Sequence, residues 1–203
     1  MKTYQVNEIF YSLQGEGRRA GTPNVFVRFS GCNLTCSADP GDKSPGGFDC
    51  DTEFASGRPM RADEIVNAIR ILMPTPRAVI LTGGEPLLQV DGPLVTALKE
   101  AEIYVAVETN GTFPIPLGID WVSLSPKVAE HAIRADWASE VRYVRHEGQG
   151  IPKPRISTDH KFLSPGWSPG KGFGKNLEWC LELAKQYPEW SLSIQQHKIW
   201  GVR

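Results

Sequence analysis

Three of the four cysteines, Cys32, Cys36 and Cys50, fall within nineteen positions, directly after a β-branched and aromatic run. Thiolates crowded so closely either bind metal or pair as disulfides, and the compartment decides which. The opening residues, Met1-Lys2-Thr3-Tyr4-Gln5-Val6-Asn7-Glu8, have neither the apolar stretch nor the small-residue cleavage site of a secretion signal. A cytoplasmic chain with reduced thiols is therefore expected. Metal becomes the expected partner, and we read the three thiols as ligands of an iron–sulfur cluster. A structural zinc ion competes, but it usually takes four ligands in paired short spacings. Cys180, beside Trp179 and Leu181 in a helical stretch, reads as core, and no histidine stands near the other three.

Further polar groups recur at strand ends. Gly83-Gly84-Glu85-Pro86 follows the apolar stretch 78–82, Glu108-Thr109-Asn110 closes 103–109, and Ser125-Pro126-Lys127 follows 121–124. Such stretches read as buried strands. Ligand sites gather at the carboxyl ends of strands in barrels and open α/β sheets. Arg28 lies inside the run 25–30, where a charge needs a partner. Residues 4–24 read as a short strand and a loop. There Gly15 and Gly17 flank Glu16, either in a surface hairpin or where backbone lies close to a ligand.

The elements that must hold these groups alternate. Residues 61–73 predict an amphipathic helix with Ile65, Ile69 and Leu72 on one face, Asp63 and Glu64 in its first turn, and Pro74 and Pro76 ending it. A second helix is expected over 92–102, and a last one capped by Asn176 and running to Tyr187. Strand-like segments recur near 141–145, 159–163 and 192–195. This alternation predicts a parallel α/β sheet covered on its outer face. A chain of 203 residues is too short for eight βα units, so an incomplete TIM-type barrel of about six parallel units is expected, as a single domain over 1–203. Residues 37–49 are almost all turn formers and predict a surface insertion between the second and third cysteines.

Composition narrows the classes of function. A hydrophobic fraction of 40%, a charged fraction of 22% and a net charge of −1 describe an ordinary globular protein without a basic field for nucleic acid or an acidic membrane. No apolar run approaches the roughly 20 residues that span a bilayer. Gly170-Lys171-Gly172-Phe173-Gly174-Lys175 lacks phosphate-loop spacing. Arg142, Arg145 and the stretch 153–155 read as a mildly basic solvated face, and His131, His146 and His160 sit in no motif.

Glycine–cysteine after the first core strand, Cys-x3-Cys, a third cysteine followed by Asp51-Thr52, and Gly83-Gly84-Glu85-Pro86 together resemble the radical S-adenosylmethionine enzymes. Within that superfamily, Tyr11-Ser12-Leu13-Gln14-Gly15-Glu16-Gly17, Cys50-Asp51-Thr52, Ser125-Pro126-Lys127 and Gln195-Gln196-His197-Lys198 resemble the 7-carboxy-7-deazaguanine synthase family, along nearly the whole chain. The resemblance implies a lyase of queuosine and 7-deazapurine biosynthesis, and hence of tRNA modification. It would contract the ring of 6-carboxy-5,6,7,8-tetrahydropterin, releasing ammonia, with S-adenosylmethionine as a regenerated cofactor.

It also implies residue roles. Cys32, Cys36 and Cys50 would hold a [4Fe-4S] cluster, and Thr52 a magnesium ion. Gly83, Gly84, Glu85, Glu108, Ser125, Pro126, Lys127 and Ser164 would bind S-adenosylmethionine. Leu13, Gln14, Gly15, Glu16, Arg28, Thr82, His197 and the carboxylate of Arg203 would face the pterin, with the substrate carboxylate supplying the partner Arg28 lacks. No side chain is marked as a catalytic acid or base. An electron-donor protein such as flavodoxin and a homodimer are implied, with no nucleic-acid or membrane partner. The sequence departs from the superfamily spacing Cys-x3-Cys-x2-Cys by its thirteen-residue last gap. In some relatives an insertion gives Cys-x14-Cys-x2-Cys, but Gly47 occupies the position that pattern needs, which leaves Cys36 as the middle ligand. Ser164-Pro165-Gly166-Trp167 stands where many relatives have Gln-Pro. Two other readings compete: an activase that forms a glycyl radical on a partner protein, and a non-enzymatic metal-stabilised binding module. Leu13-Gln14-Gly15-Glu16-Gly17 and the His-Lys pair favour the synthase.

Overall fold

Strict alternation along the strands decides which residues face the helices and which face the site. In the computed structural model, which describes residues 2–37, 50, 52–73, 78–167, 170 and 172–203, nine strands form one sheet. β1 (Tyr4–Leu13) and β2 (Pro23–Phe29) pair antiparallel, and β3 (Arg58–Met60) adds to the outer edge of β1. From β2 onward every pairing is parallel, through β4 (Ala78–Gly83), β5 (Tyr104–Thr109), β6 (Trp121–Leu124), β7 (Glu140–Arg145), β8 (Lys161–Pro165) and the short β9 (Ser191–Leu192). The six parallel strands expected are β2 and β4 to β8.

Val25, Val27, Val79, Leu81, Val105 and Val107 point to one side and join a single buried cluster with Ile65, Ile69, Leu94 and Leu98 of the covering helices. Their alternates, among them Arg28, Thr82, Glu108, Ser123, Glu140 and Arg142, point to the opposite, concave side. α1 (Ala62–Leu72) carries Asp63 and Glu64 in its first turn, as expected, and Glu64 Oε2 accepts the Arg61 N–H at 2.8 Å. Pro74 and Pro76 lie outside the described residues. α2 (Gly92–Glu100) is capped by Asp91, whose carboxylate accepts the Leu94 N–H at 3.1 Å.

Two expectations are corrected. α3 (Lys175–Gln186) starts after Gly174, held at φ 48°; Asn176 lies inside it and its side chain bonds Glu147 N and Gly166 O instead of capping. A further short helix, α4 (Gln196–Trp200), follows it. In addition, the connections β5–β6, β6–β7 and β7–β8 carry no α-helix, only a single 3₁₀ turn at Glu130–Ala132. Loops cover the sheet there instead, and their Ile115, Ile119, Ile133 and Ile156 join the buried cluster.

Among the described residues the sheet does not close on itself. Residues 193–203 bridge β9 and β1: Gly17 N donates to Ser193 Oγ at 2.8 Å, Gln196 N to Gly15 O at 3.0 Å, and Ser12 Oγ to Arg203 O at 2.7 Å. The expected insertion over 38–49 lies outside the described residues.

Candidate active site

The first cysteine is placed by backbone glycines and a buried carboxylate. β2 and β4 run side by side and both turn inward at Phe29 and Gly83. A Cβ on Gly83 would come 2.1 Å from Phe29 O, and one on Gly84 would come 2.3 Å from Gly31 O and 2.8 Å from Cys32 Cβ. Only bare backbone allows the two turns to approach this closely. Glu85 N donates to Gly31 O at 3.0 Å. The Glu85 carboxylate is fully buried, and burial pushes its pKa up, against the hydrogen bonds it accepts from Asn110 N (2.8 Å), Thr109 Oγ1 (2.8 Å) and Leu87 N (3.0 Å). Asn110 Nδ2 donates to Asn33 Oδ1 at 3.1 Å, so the chain of bonds runs from Glu85 to the residue next to Cys32. Gly31 N donates to Phe54 O at 2.8 Å and brings the third-cysteine segment beside the first.

All three cysteines, with Leu34, Thr52 and Phe54, line a cavity at the carboxyl ends of the strands. Burial raises the pKa of the Cys32 and Cys36 thiols, so they are protonated at neutral pH until a metal takes the proton's place. Among the described residues, no three His, Cys, Asp or Glu side chains converge on a point where one metal ion could sit. Cys180 is buried in the core, as expected.

The rest of the lining is largely polar and charged. Glu16, Thr82, Glu108, Ser125, Lys127, Arg142 and Ser164 line the same cavity, as do Gly83 and Gly84. Pro165, Gly166 and Trp167 form an apolar corner, and Lys198 Nζ lies 3.6 Å from the Trp167 ring centroid. Arg142 sits at the bottom with its side chain 3% exposed, paired with Glu16, with Glu108 Oε1 at 2.9 Å, and with Glu140 Oε1 at 3.3 Å. Burial works against its charge, but Glu108, Glu16 and Glu140 together hold the guanidinium pKa above its ordinary value. Burial alone would raise the Glu108 pKa; Arg142 and the Gln14 amide, donating at 2.7 Å, more than offset it and hold the carboxyl below the usual range. Burial, then Arg142, lower the Lys127 pKa. The expectation of a solvated basic face at Arg142 is therefore corrected. The alternation of Glu140 and Arg142 against Val141 and Tyr143 is the signal that locates it.

The remaining expected site residues lie off the cavity wall. Leu13, Gln14 and Gly15 stand behind Glu16; Glu85 is turned into the protein with both oxygens engaged; Pro126 and His197 flank the wall without lining it. Gly15 lies against His197, whose Nδ1 would be 2.2 Å from an added Cβ. Arg28 does not lack a partner: Glu8 Oε1 accepts its Nε–H at 2.9 Å. The register slip between Val6 and Glu8 inserts one residue and turns Glu8 onto the concave face opposite Arg28. Arg203 pairs with the same Glu8 and stacks over Phe10, 4.9 Å from the ring centroid. Asp51 lies outside the described residues.

Gly17 has φ 68°, and an added Cβ would come 2.2 Å from Glu140 Oε1, the carboxylate that also accepts Ser123 Oγ and Arg18 N at 2.8 Å. Gly17→Ala should cost on the order of 2 kcal/mol, from the left-handed backbone and the displaced carboxylate. Urea unfolding checks this; an unchanged midpoint would show that the loop relaxes freely.

A 7-carboxy-7-deazaguanine synthase from Bacteroides thetaiotaomicron is 43% identical over 202 residues, covering 98% of each chain. The chain belongs to the 7-carboxy-7-deazaguanine synthase family. Family members from Burkholderia multivorans and Caulobacter vibrioides are 38% and 34% identical, each covering 98% of this chain and 99% of their own. The fold of this synthase-family chain matches the crystal structure of QueE from Escherichia coli, with a TM-score of 0.67 and 24% identity over 96% of this chain and 95% of that one. This bears out the incomplete TIM-type barrel. No protein-family model matches the chain.

Proposed function

We propose that the chain converts 6-carboxy-5,6,7,8-tetrahydropterin into 7-carboxy-7-deazaguanine and ammonia, with S-adenosylmethionine as a regenerated cofactor, on the route to queuosine and other 7-deazapurines. The observation that carries this is one cavity lined by all three thiols together with Glu16, Glu108 and Arg142, in a member of this family. When bound, a [4Fe-4S] cluster and S-adenosylmethionine supply one-electron chemistry able to remove a hydrogen atom from carbon.

The chain's own residues do the holding. Cys32, Cys36 and Cys50 would carry the cluster. Gly83 and Gly84 offer bare backbone to the cofactor's amine, and Glu85 acts from behind by fixing Asn110 and the Cys32 loop. Ser125 and Lys127, with Pro126 stiffening the turn, would take the cofactor's carboxylate, while Glu108 and Ser164 take its ribose side. Glu16 would accept hydrogen bonds from the amino and ring N–H groups of the pterin, with Leu13, Gln14 and Gly15 setting its loop. Thr82 and Arg28 would meet the substrate carboxylate, which then shares Arg28 with Glu8. His197 and Arg203 would close over it. Thr52 offers the hard oxygen that suits magnesium. Among the described residues no helix is long and apolar enough to cross a membrane. A cytoplasmic homodimer, reduced by a donor such as flavodoxin and without a nucleic-acid partner, completes the reading.

Anaerobic reconstitution followed by reductant, S-adenosylmethionine and 6-carboxytetrahydropterin should yield the deazapurine chromophore. A brown protein that makes only 5′-deoxyadenosine, or a colourless one carrying zinc, would overturn the assignment.

A further inference from the structure

We propose that Arg142 is a positioning residue that couples the two halves of the cavity, so that ligands at Glu16 and at Glu108 bind cooperatively. This rests on the reading that Glu16 faces the pterin and Glu108 the cofactor. The geometry is unusual in one respect. A single buried guanidinium on β7 reaches across the barrel to Glu16 in the β1–β2 loop and to Glu108 on β5, two carboxylates carried by separate elements and both lining the cavity. The third carboxylate, Glu140, is engaged elsewhere, by Ser123 Oγ and Arg18 N, and meets Arg142 Nε as an ion pair at 3.3 Å without a hydrogen bond.

Three carboxylates surround one guanidinium, with Lys127 the second cation on the same wall. Both carboxylates that face ligand therefore share Arg142 as the cation directly paired with each, while the charge of Lys127 is felt by both and that of His197 by Glu108. In a poorly solvated interior, a change at one partner is felt strongly at the other. A ligand that donates hydrogen bonds to Glu16 draws down that carboxylate's demand on Arg142. The guanidinium can then neutralise Glu108 more fully and fix its orientation. Binding at either carboxylate prepares the other, and linkage makes the effect reciprocal. Lysine cannot replace this function: one ammonium lacks the planar fork that bridges two carboxylates.

The test is calorimetric binding to the cluster-loaded protein, with S-adenosylhomocysteine and 6-carboxypterin as unreactive probes, each alone and each in the presence of the other. In the unaltered protein, saturation with one probe should tighten the other at least about fivefold, the lower end of ordinary coupling. Arg142→Lys should bring that factor to about one, while each probe alone still binds. Circular dichroism and thermal unfolding report whether this variant folds. Glu108→Gln leaves Arg142 in place and cuts the link at its other end, so it should also abolish the coupling. If the unaltered protein binds both probes independently, or if the coupling survives in Arg142→Lys or Glu108→Gln, the proposal is wrong. A protein that binds neither probe would overturn the synthase reading itself, and the coupling with it.

Discussion

Replacing Cys32, Cys36 or Cys50 by serine is expected to strip the iron–sulfur chromophore and lower product formation by more than ~100-fold, since even changes behind metal ligands reach that size. The far-ultraviolet circular dichroism should stay unchanged, because none of the three thiols belongs to the buried core. Cys36 is the decisive variant. It lines the cavity with Cys32 and Cys50, although twelve of the thirteen residues separating it from Cys50 lie outside those described. Iron and sulfide analysis after anaerobic reconstitution checks it: a full cluster in Cys36→Ser would remove that residue from the ligand set.

Gly83→Ala should have the largest effect on folding. Gly83 ends β4 at φ 137°, and the added carbon would meet Phe29 O at 2.1 Å and Phe29 N at 2.7 Å. These are backbone atoms paired between two central strands, so no rotamer change relieves the clash. Strained backbone and overpacking each cost about 1–3 kcal/mol, for a sum on the order of 4 kcal/mol. That is a large share of a total near 5–15 kcal/mol, and it lowers the melting temperature by roughly 10 °C. Gly92→Ala, with nothing within 4 Å of the added carbon, is the control and should leave the melting curve in place. Differential scanning calorimetry on both variants decides; equal melting temperatures would refute the close-approach account of Gly83.

What could be seen in the sequence was local. Cys32 and Cys36, Gly83-Gly84-Glu85 and Ser125-Pro126-Lys127 each announce themselves within a few residues, and the strand ends that carry them follow from apolar runs. Arg142 could not be seen this way. Its partner Glu16 lies 126 positions away, and only the strand alternation shows that it points inward. Nor could the pairing of Arg28 with Glu8, because it depends on a one-residue slip after Val6 that no local pattern announces. Glu85 is recognisable from its motif, but its neighbours are not: no local pattern announces that Thr109 Oγ1 and Asn110 N, a strand away, join Leu87 N in donating to its carboxylate. The helix start was missed because a left-handed glycine, not the nearby Asn176, sets it.

The bridge between β9 and β1 bears on the order in which the protein acquires its shape. Neighbouring strands such as β4 and β5 join residues 26 positions apart, whereas Gly17 and Ser193 lie 176 apart. Bringing such distant points together costs nearly three doublings of loop length, a little under ~2 kcal/mol more in chain entropy, unless the strands between are already in place. Chain entropy therefore favours assembly of the sheet as an open trough before its two edges are joined. On that order the cavity is enclosed last, and the three cysteines would stay open to incoming iron and sulfide until then.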